Sequence, residues 1–388
     1  MRARPLQIAR PLAAAARRPR RIAVLGPARF AVGEPFAGGL EAHTLTLARA
    51  LRRRGHEVTL FAGPGDSAPP PDFPVTPIIE RSLEIDASER SDTSMPVSAV
   101  AQLDVGHRRV LEQVTMPGRF DAVHNNTLHE LPASHDYGPL GVLHVLHCPP
   151  IAEVDAAHRA RQVDPRDSHE VVAVSAPLAR RWRPVRSRPV WNGVEVEVWS
   201  PGDHAAGEGC AWAGRIVSEK APHVAIDAAR LAGRSIDLAG PIQEPVYFER
   251  EVRPRLGPDV RYLGHLGSHE LVELYATAAV GVVAPCWEEP FGLVAAEMLA
   301  CGTPVAAFAR GVLPDVITSD VGAIAEGDDA AALAAAIEVA AAADRRRCRE
   351  HAVATLSIDV MVDAYEALYE RSRVRSLVAP GAWSGVAG

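Results

Sequence analysis

The stretch Trp287-Glu288-Glu289-Pro290-Phe291-Gly292-Leu293-Val294-Ala295-Ala296-Glu297 lies between two short apolar runs. Residues 280–285 precede it and predict a buried strand. The Ala-rich segment after Gly292 predicts a short helix that ends near Gly302, and residues 303–308 predict the next strand. This order of strand, loop, helix and strand is typical of an open parallel sheet, in which ligands bind beyond the carboxyl ends of the strands.

Two carboxylates mark this unit. Glu289 precedes the predicted helix, and Glu297 follows about two turns later, roughly 9–12 Å further along the axis at ~1.5 Å per residue. Free N–H groups near Phe291, Gly292 and Leu293 would face a phosphate, assisted by the helix dipole. The layout suits a nucleotide sugar, which has hydroxyls at both ends and phosphates between them. The alternative is a surface carboxylate at a helix start and a second, solvated one.

The run Glu289-Pro-Phe-Gly-Leu-Val-x-x-Glu297, followed by Cys-Gly-Thr-Pro-Val, resembles the Glu-x7-Glu motif of retaining GT-B glycosyltransferases, family 4 in particular. The resemblance implies that Glu289 binds hydroxyls of the donor sugar and Glu297 the ribose. It also implies that amides near Leu293 and Val294 bind the diphosphate.

Length and composition set limits on the function. A chain of 388 residues is long enough for two domains, and 47% hydrophobic with 23% charged residues is typical of soluble globular proteins. The net charge of −7 argues against a nucleic-acid partner. Residues 1–21 hold seven Arg and no acidic residue, which predicts a disordered tail, with a transit-like or membrane-surface segment as the alternative. No apolar run is long enough to span a bilayer.

Cysteine and histidine spacing indicates no disulfide framework and no metal site. The five cysteines are scattered and form no C-x-x-C pair, which predicts reduced thiols in a cytoplasmic protein. The pairs His124-x4-His129 and His144-x2-His147 lack the supporting carboxylate or cysteine pattern of a metal site. We therefore predict no metal and no cofactor.

The first half of the chain opens with a βαβ pattern. Residues 22–26 and 58–61 predict strands, residues 40–54 predict the helix between them, and glycines lie at the first turn. The turn matches neither G-x-G-x-x-G nor a P-loop, and a tight turn is the alternative reason for its glycines. The sequence Gly38-Gly39-Leu40-Glu41 resembles the family 4 segment that lines the donor phosphate, which implies a donor contact at Gly39.

Two later predicted strands end in His124 and His147, which indicates a single cleft edge. His147 matches a family histidine in the catalytic cleft. We assign His124, Asn126 and Glu41 as candidates on the acceptor side, and a structural, hydrogen-bonded role is the alternative for His124. Residues 63–118 carry no pattern that identifies the acceptor.

Five arginines between positions 180 and 188 follow a further predicted strand. A solvated helix face is the plain interpretation. Contact with an anionic lipid or an acceptor phosphate is the alternative, so a peripheral contact at the inner face of a membrane stays open.

Arg215 and Lys220 flank a predicted turn between strand and helix, where they could neutralise a diphosphate. Arginine offers a bidentate fork and lysine a point charge. Two unrelated surface cations are the alternative. The run Gly-Arg-Ile-x-x-Glu-Lys also resembles the donor-phosphate pair of family 4, although Ala221 stands where the family usually has glycine.

These patterns resemble family 4 over roughly residues 22–372 and imply the GT-B fold, in which two Rossmann-like βαβ domains face a central cleft. Asn192-Gly193-Val194 resembles the family's domain linker. We predict a tail at 1–21, a first domain at 22–198, a second domain at 199–356, a crossover helix at 357–372 that packs on the first domain, and a tail at 373–388.

The predicted function is transfer of a hexose from a nucleotide-diphosphate sugar to an acceptor hydroxyl with retention of configuration. Arg215, Lys220 and the helix amides would stabilise the departing UDP or GDP without a metal. His147 would orient the sugar or acceptor, and Glu289 would bind the sugar. A nucleotide-sugar 2-epimerase, a retaining phosphorylase and a sugar-binding regulator without activity are the alternatives. Both partners would be small molecules, and the oligomeric state is undetermined.

Overall fold

A computed structural model describes residues 18–67, 70, 72–83, 95–163, 169–202 and 207–378. Seven parallel strands in the order β3-β2-β1-β4-β5-β6-β7 form the first sheet. Their bounds are β1 Arg21–Leu25, β2 Glu57–Phe61, β3 Val75–Thr76, β4 Ala122–Asn125, β5 Gly141–Leu146, β6 Glu170–Ala173 and β7 Arg188–Pro189. The order reverses between β1 and β4, which opens a crevice at their carboxyl ends.

The helices of the first half cover this sheet. They are α1 Gly39–Arg53, α2 Val97–Val114, α3 Glu130–Ser134, α4 Ala152–Gln162 and α5 Ala176–Arg181. Helix α1 buries Leu45, Leu47, Ala48 and Leu51 because these residues recur on one face. Helix α2 lies within residues 63–118, where the sequence showed no pattern that identifies the acceptor.

Six parallel strands in the order β10-β9-β8-β11-β12-β13 form the second sheet. Their bounds are β8 Cys210–Ala213, β9 Ile236–Ala239, β10 Val260–Tyr262, β11 Val280–Val283, β12 Val305–Ala307 and β13 Gly322–Ile324. The helices of this half are α6 Pro222–Leu231, α7 Pro245–Tyr247, α8 Ser268–Thr277, α9 Leu293–Ala300, α10 Leu313–Val316, α11 Ala330–Ala340 and α12 Arg345–Thr355. The order reverses between β8 and β11, so both sheets present a crevice. The predicted pair of Rossmann-like domains is confirmed.

Helix α13, Ile358–Val378, joins the two halves and packs on β5 and α1, as the crossover prediction requires. The linker passes close to its start: the backbone N–H of Val194 donates to the carbonyl of Leu356 at 2.8 Å. A Cβ on Gly193 would lie 2.5 Å from the Cα of Ile358, so only glycine fits this crossing. Further along, the imidazole of His56 lies 2.9 Å from the carboxylate of Glu366.

The structure changes two predicted boundaries. Arg20 and Arg21, placed in the basic tail, belong to the fold: Arg20 is buried beside Glu370, and Arg21 begins β1 and bonds Asp121. The crossover helix continues six residues beyond the predicted end, to Val378. Residues 1–17 and 379–388, which carry the rest of the predicted tails, lie outside the described residues.

The described residues contain no helix that is long and apolar enough to cross a bilayer. All five cysteines lie within the described ranges, and none forms a disulfide. Within the same ranges, no group of three histidine, cysteine, aspartate or glutamate side chains has the arrangement of a metal site. His144 instead bonds Asn125 and His169, each at 2.9 Å.

Candidate active site

A cleft of about 480 Å³ lies between the two sheets and is lined by loops from both. Both crevices open into it, which places the carboxyl ends of β1, β4 and β5 opposite those of β8 and β11. The first half contributes Gly38, Gly39, Glu41, His43 and His147, and the second contributes Arg215, Lys220, Glu289, Gly292 and Glu297.

Lys220 lies at the end of a short 3-10 turn and forms an ion pair across the cleft floor. Its Nζ donates to Oε2 of Glu289 at 2.6 Å. The indole N–H of Trp287 donates to the same oxygen at 3.1 Å, and the ammonium lies 4.9 Å from the centre of the Trp287 ring. Lys220 is also the only lysine in the 388 residues. One cation and one indole N–H thus hold the Glu289 carboxylate.

Arg215 is held in the same loop by hydrogen bonds from its guanidinium to Glu219 at 2.7 Å and to Gln243 at 3.1 Å. Gln243 in turn donates to the carbonyl of Ala37 in the first half, at 3.4 Å. Because one neutral and one anionic partner hold the guanidinium, its orientation in the cleft is defined.

The backbone of Glu289 is held by the loop that precedes α10. Val312 N–H donates to the carbonyl of Glu289 at 3.1 Å, and Gly311 N–H donates to the carboxylate of Glu288 at 2.7 Å. A Cβ on Gly311, whose φ is +55°, would lie 2.0 Å from the same carbonyl. This close approach fixes the position from which the Glu289 side chain enters the cleft.

The amino-terminal end of α9 faces the cleft with unused donors. Within the described part of the chain, the backbone N–H groups of Gly292, Leu293 and Val294 form no hydrogen bond. Gly292 adopts φ +76°, the left-handed region, and turns the chain into the helix. Three free donors and the positive end of the helix dipole form an anion-binding position.

Ala221, the departure from the family pattern, is the only described non-glycine residue with a positive φ, at +45°. It is fully buried between Lys220 and α6. Glycine is the residue that adopts this conformation without strain, which accounts for its usual presence here.

Glu297 lies further along α9, and its carboxylate is 3.5 Å from the hydroxyl of Tyr275. Burial raises the pKa of Glu297 to about 7, and the Tyr275 hydroxyl opposes part of that shift. A hydroxyl-rich ligand that donates hydrogen bonds would stabilise the ionised form.

His147 marks the edge formed by the first half. Its Nε2 lies 2.9 Å from the side-chain oxygen of Asn126, which lies 3.0 Å from Nε2 of His124. The His43 ring lies 4.9 Å from that of His147 and is 2% exposed. Neither nitrogen of His43 has a hydrogen-bond partner among the described residues. Burial lowers the pKa of His43 to about 4, so the imidazole is neutral.

Two family models match successive parts of the chain. The model described as Glycosyltransferase Family 4 matches residues 37–202, and the model described as Glycosyl transferases group 1 matches residues 211–353. A D-inositol 3-phosphate glycosyltransferase of Mycolicibacterium paratuberculosis is 30% identical over 408 residues, which cover 91% of each chain.

The chain is a family 4 glycosyltransferase of the GT-B fold.

Other comparisons agree with this family. The D-inositol 3-phosphate glycosyltransferase of Mycolicibacterium smegmatis is 29% identical over 91% of this chain and 92% of its own. Among solved structures, AviGT4, a glycosyltransferase involved in avilamycin A biosynthesis, has a TM-score of 0.67 at 19% identity and covers 92% of this chain and 98% of its own. A sucrose-phosphate synthase from Thermosynechococcus elongatus has a TM-score of 0.68 at 21% identity, with coverage of 91% and 98%.

The structure of this glycosyltransferase brings most of the predicted site residues to one cleft. The donor-side candidates Gly39, Arg215, Lys220, Glu289 and Glu297 all line it. So do the residues around the start of α9, namely Phe291, Gly292, Leu293 and Val294. The Phe291 side chain is 3% exposed and packs near Trp191, so its contribution to a ligand is through the backbone.

Two acceptor-side candidates lie elsewhere. His124 and Asn126 are fully buried and do not line the cleft, because β4 places them behind His147. Their position does not support direct contact with an acceptor. Glu41 is buried but does line the cleft.

Four cleft residues were not predicted from the sequence, namely His43, Gln243, Tyr275 and Trp287. His43, Gln243 and Tyr275 lie outside the motifs that indicated the site. Trp287 lies within one of them, but only the fold shows that its indole N–H reaches the Glu289 carboxylate. The composition offered one further indication of the donor site. The sequence contains a single lysine, and that lysine, Lys220, lies at the position predicted to bind phosphate.

Proposed function

We propose that this glycosyltransferase transfers a hexose from a nucleoside-diphosphate sugar to a hydroxyl of a small acceptor, with retention of anomeric configuration. The observation that carries the proposal is the position of Lys220 and Glu289. A cation for phosphate and a carboxylate for sugar hydroxyls lie 2.6 Å apart, next to unused amides at a helix start.

The donor would be held at three points. Arg215, Lys220 and the amides of α9 would bind its diphosphate. Its ribose hydroxyls would donate hydrogen bonds to Glu297, and its sugar hydroxyls would donate to Glu289. An ammonium has three N–H donors, so Lys220 can bind a phosphate oxygen and keep Glu289. These cations and amides would stabilise the negative charge that develops on the leaving diphosphate.

The transfer would take place on one face of the sugar. The bond from the anomeric carbon to the phosphate oxygen breaks, the bond to the acceptor oxygen forms on the same side, and the acceptor proton passes to the leaving phosphate. No protein nucleophile enters this scheme. His147 would orient a hydroxyl of the sugar or the acceptor.

The acceptor is proposed to be small and rich in hydroxyls. A volume of about 480 Å³ is in the range of ordinary small-molecule sites and must also hold the donor sugar. Since several sequence relatives are D-inositol 3-phosphate glycosyltransferases, that compound is the first acceptor to test.

The test combines binding with turnover. UDP- and GDP-sugars are screened by thermal shift, where a ligand at ~100 times its dissociation constant adds about 2.7 kcal/mol. The stabilising donor is then incubated with an acceptor panel, and the anomeric configuration of the product is read by NMR. Release of nucleotide with an inverted product would overturn retention.

The single lysine gives a second readout. Amine acylation followed by mass spectrometry reports Lys220 without interference from other side chains. A nucleoside diphosphate is expected to protect Lys220 from acylation. Equal labelling with and without the nucleotide would show that Lys220 does not hold the diphosphate.

A further inference from the structure

The buried polar groups behind His147 form a continuous chain from the cleft to the crossover helix. The Asn126 oxygen lies 2.9 Å from Nε2 of His147 and 3.0 Å from Nε2 of His124, and Nδ1 of His124 lies 2.7 Å from the hydroxyl of Tyr369. Asn126, His124 and Tyr369 are at most 2% exposed. These hydrogen-bonded side chains are therefore shielded from solvent and lie behind the ligand cleft.

The chemistry of an amide oxygen decides the protonation of both imidazoles. An amide oxygen only accepts hydrogen bonds, and its two lone pairs can serve two donors. Both Nε2 atoms must then carry a hydrogen atom. If the rings are neutral, Nδ1 of each ring is left as a hydrogen-bond acceptor.

The surroundings keep these rings neutral. The titratable groups that face them are His43 on α1, His144 on β5, and Tyr365 and Tyr369 on α13, and none of these is a carboxylate. Burial lowers the pKa of His124 to about 3. Burial, His43 and His124 lower the pKa of His147 well below its usual value.

Tyr369 is the hydrogen-bond donor at the far end of this row of side chains. Burial raises its pKa well above the usual value, so its hydroxyl keeps its hydrogen atom. That hydroxyl can donate to Nδ1 of His124, which the Asn126 bond leaves without one. Asn126 itself is anchored, since its backbone N–H donates to the carbonyl of Leu25 at 2.8 Å.

We infer that Asn126 is a positioning residue that holds His147 as the tautomer protonated at Nε2, so that Nδ1 offers a lone pair to a hydroxyl of the bound sugar or acceptor. His124 and Tyr369 link this tautomer to the helix that joins the two domains. The role of Nδ1 rests on the proposed function, whereas the tautomer does not.

The tautomer is tested first, on the wild-type protein without substrate. Protein labelled with ¹⁵N-histidine is measured near pH 7.5 by long-range ¹⁵N–¹H correlation, and the His147→Gln variant identifies the His147 signal. A protonated Nε2 and a bare Nδ1 are expected. A protonated Nδ1, or averaging between the two tautomers, overturns the inference, because the Asn126 amide would then be oriented the other way or exert no control.

The pH profile of kcat tests the link between Asn126 and the reaction. In Asn126→Asp a carboxylate would accept from both imidazoles and favour their protonated forms. The acid limb of kcat is therefore expected to move to higher pH by at least one unit, with the alkaline side unchanged. A uniform fall at every pH would indicate only a packing defect and overturn the positioning role.

Tyr369→Phe and Tyr365→Phe form a matched pair for the outer end of the chain. Both hydroxyls are buried on the same helix face near His124, but the Tyr365 hydroxyl has no hydrogen-bond partner among the described residues. Tyr369→Phe is expected to lower kcat about 3- to 10-fold, the effect of one hydrogen bond, and Tyr365→Phe to leave it unchanged. Equal rates in the two variants overturn the link to the helix.

These outcomes separate the inference from the proposed function. If no donor binds and no transfer is detected, the proposed function fails while the NMR measurement still decides the tautomer. If transfer is detected but His147 carries its hydrogen atom on Nδ1, only the inference fails.

Discussion

The two walls of the cleft carry different kinds of polar group. The wall from the second half, which we call the charged wall, uses ionisable groups, namely Arg215, Lys220, Glu289 and Glu297, of which Glu289 is buried. Around His147, the wall from the first half uses neutral groups, which we call the neutral wall: His43 lines the cleft, and His124 and Asn126 lie buried behind it. Ten of the fifteen histidines lie before residue 199, whereas the single lysine lies after it.

The difference matches what each wall would bind. A diphosphate carries localised charge, which cations and helix amides stabilise strongly in a partly dry cleft. Sugar and acceptor hydroxyls are neutral, and fixed hydrogen-bond acceptors distinguish them by position. We therefore expect the charged wall to control rate through the leaving group and the neutral wall to control orientation, with different responses to pH.

The largest expected effect is on catalysis by the charged wall. Lys220→Ala should lower kcat by about 10²- to 10³-fold, the usual loss when one electrostatic group at a developing charge is removed. Steady-state release of the nucleoside diphosphate measures it. Arg253→Ala is the control, because this exposed cation pairs with Glu249 outside the cleft and should leave kcat unchanged. A kcat within about threefold of wild type in Lys220→Ala would contradict the role assigned to the charged wall.

The next effect is acid instability of the first half of the chain, which carries the neutral wall. Burial lowers the pKa of His158 to about 4 and that of His169 to about 2, so the unfolded chain binds more protons than the folded one below pH 6.5. Stability should fall as the pH drops below about 6.5, by about 1.4 kcal/mol per pH unit for each such histidine.

Native-state hydrogen exchange at pH 7 and pH 5, corrected for intrinsic rates, measures this instability. Amides of β5 and β6, next to the buried histidines, should lose more protection than those of β8 and β11. Equal losses in both sheets would mean that the buried histidines do not distinguish the two halves.

Glu297 predicts the opposite pH response in the charged wall. Its raised pKa means that the folded state without ligand binds the additional proton, so stability falls as the pH rises from about 4.5 to about 7 and then levels off. The loss is at most about 3 kcal/mol, on the order of 1.4 kcal/mol per unit. Glu297→Gln should remove this component, measured by urea unfolding at pH 5 and pH 8. The same pH dependence in wild type and variant would contradict the assignment.

The smallest effect concerns Ala221. Replacement by glycine relieves a left-handed conformation that costs an alanine about 1–2 kcal/mol, and the greater freedom of unfolded glycine offsets about 0.5–1 kcal/mol of that gain. A net gain of up to about 1 kcal/mol in the free energy of unfolding is expected in Ala221→Gly. Ala225→Gly, in the following helix, should instead lose about 1 kcal/mol. A loss in both variants would show that the strain at residue 221 is negligible.

The sequence predicted the elements nearest the site well. Strand β5 ends next to His147 as predicted, helix α6 follows the predicted turn at Lys220, and the α9 unit has its strand, turn and helix in place. Helix α2 escaped prediction because it begins at Pro96 without a side-chain cap and exposes Val97 and Val105 on its outer face. Its buried residues Ala99, Leu103, Gly106, Val110 and Val114 nevertheless recur at helical spacing, so the pattern was present in the sequence.

The sequence by itself determined the charged wall. Glu289, Gly292 and Glu297 belong to one strand-loop-helix unit, and helix geometry sets their spacing whatever the rest of the chain does. Lys220 and Arg215 lie at another such turn, and parallel topology brings both turns to the same edge of the sheet.

Only the tertiary structure decided the neutral wall. His124 and Tyr369 are 245 positions apart, and nothing in either segment identifies the other as its partner. The sequence predicts that His124 and Asn126 lie at the end of a strand. It does not predict that their side chains are buried behind the cleft. That burial depends on the crossover helix, which covers β5 and removes these groups from water. Because a buried polar group requires a hydrogen-bond partner, His124 bonds the Tyr369 hydroxyl, which lies beside it on the crossover helix.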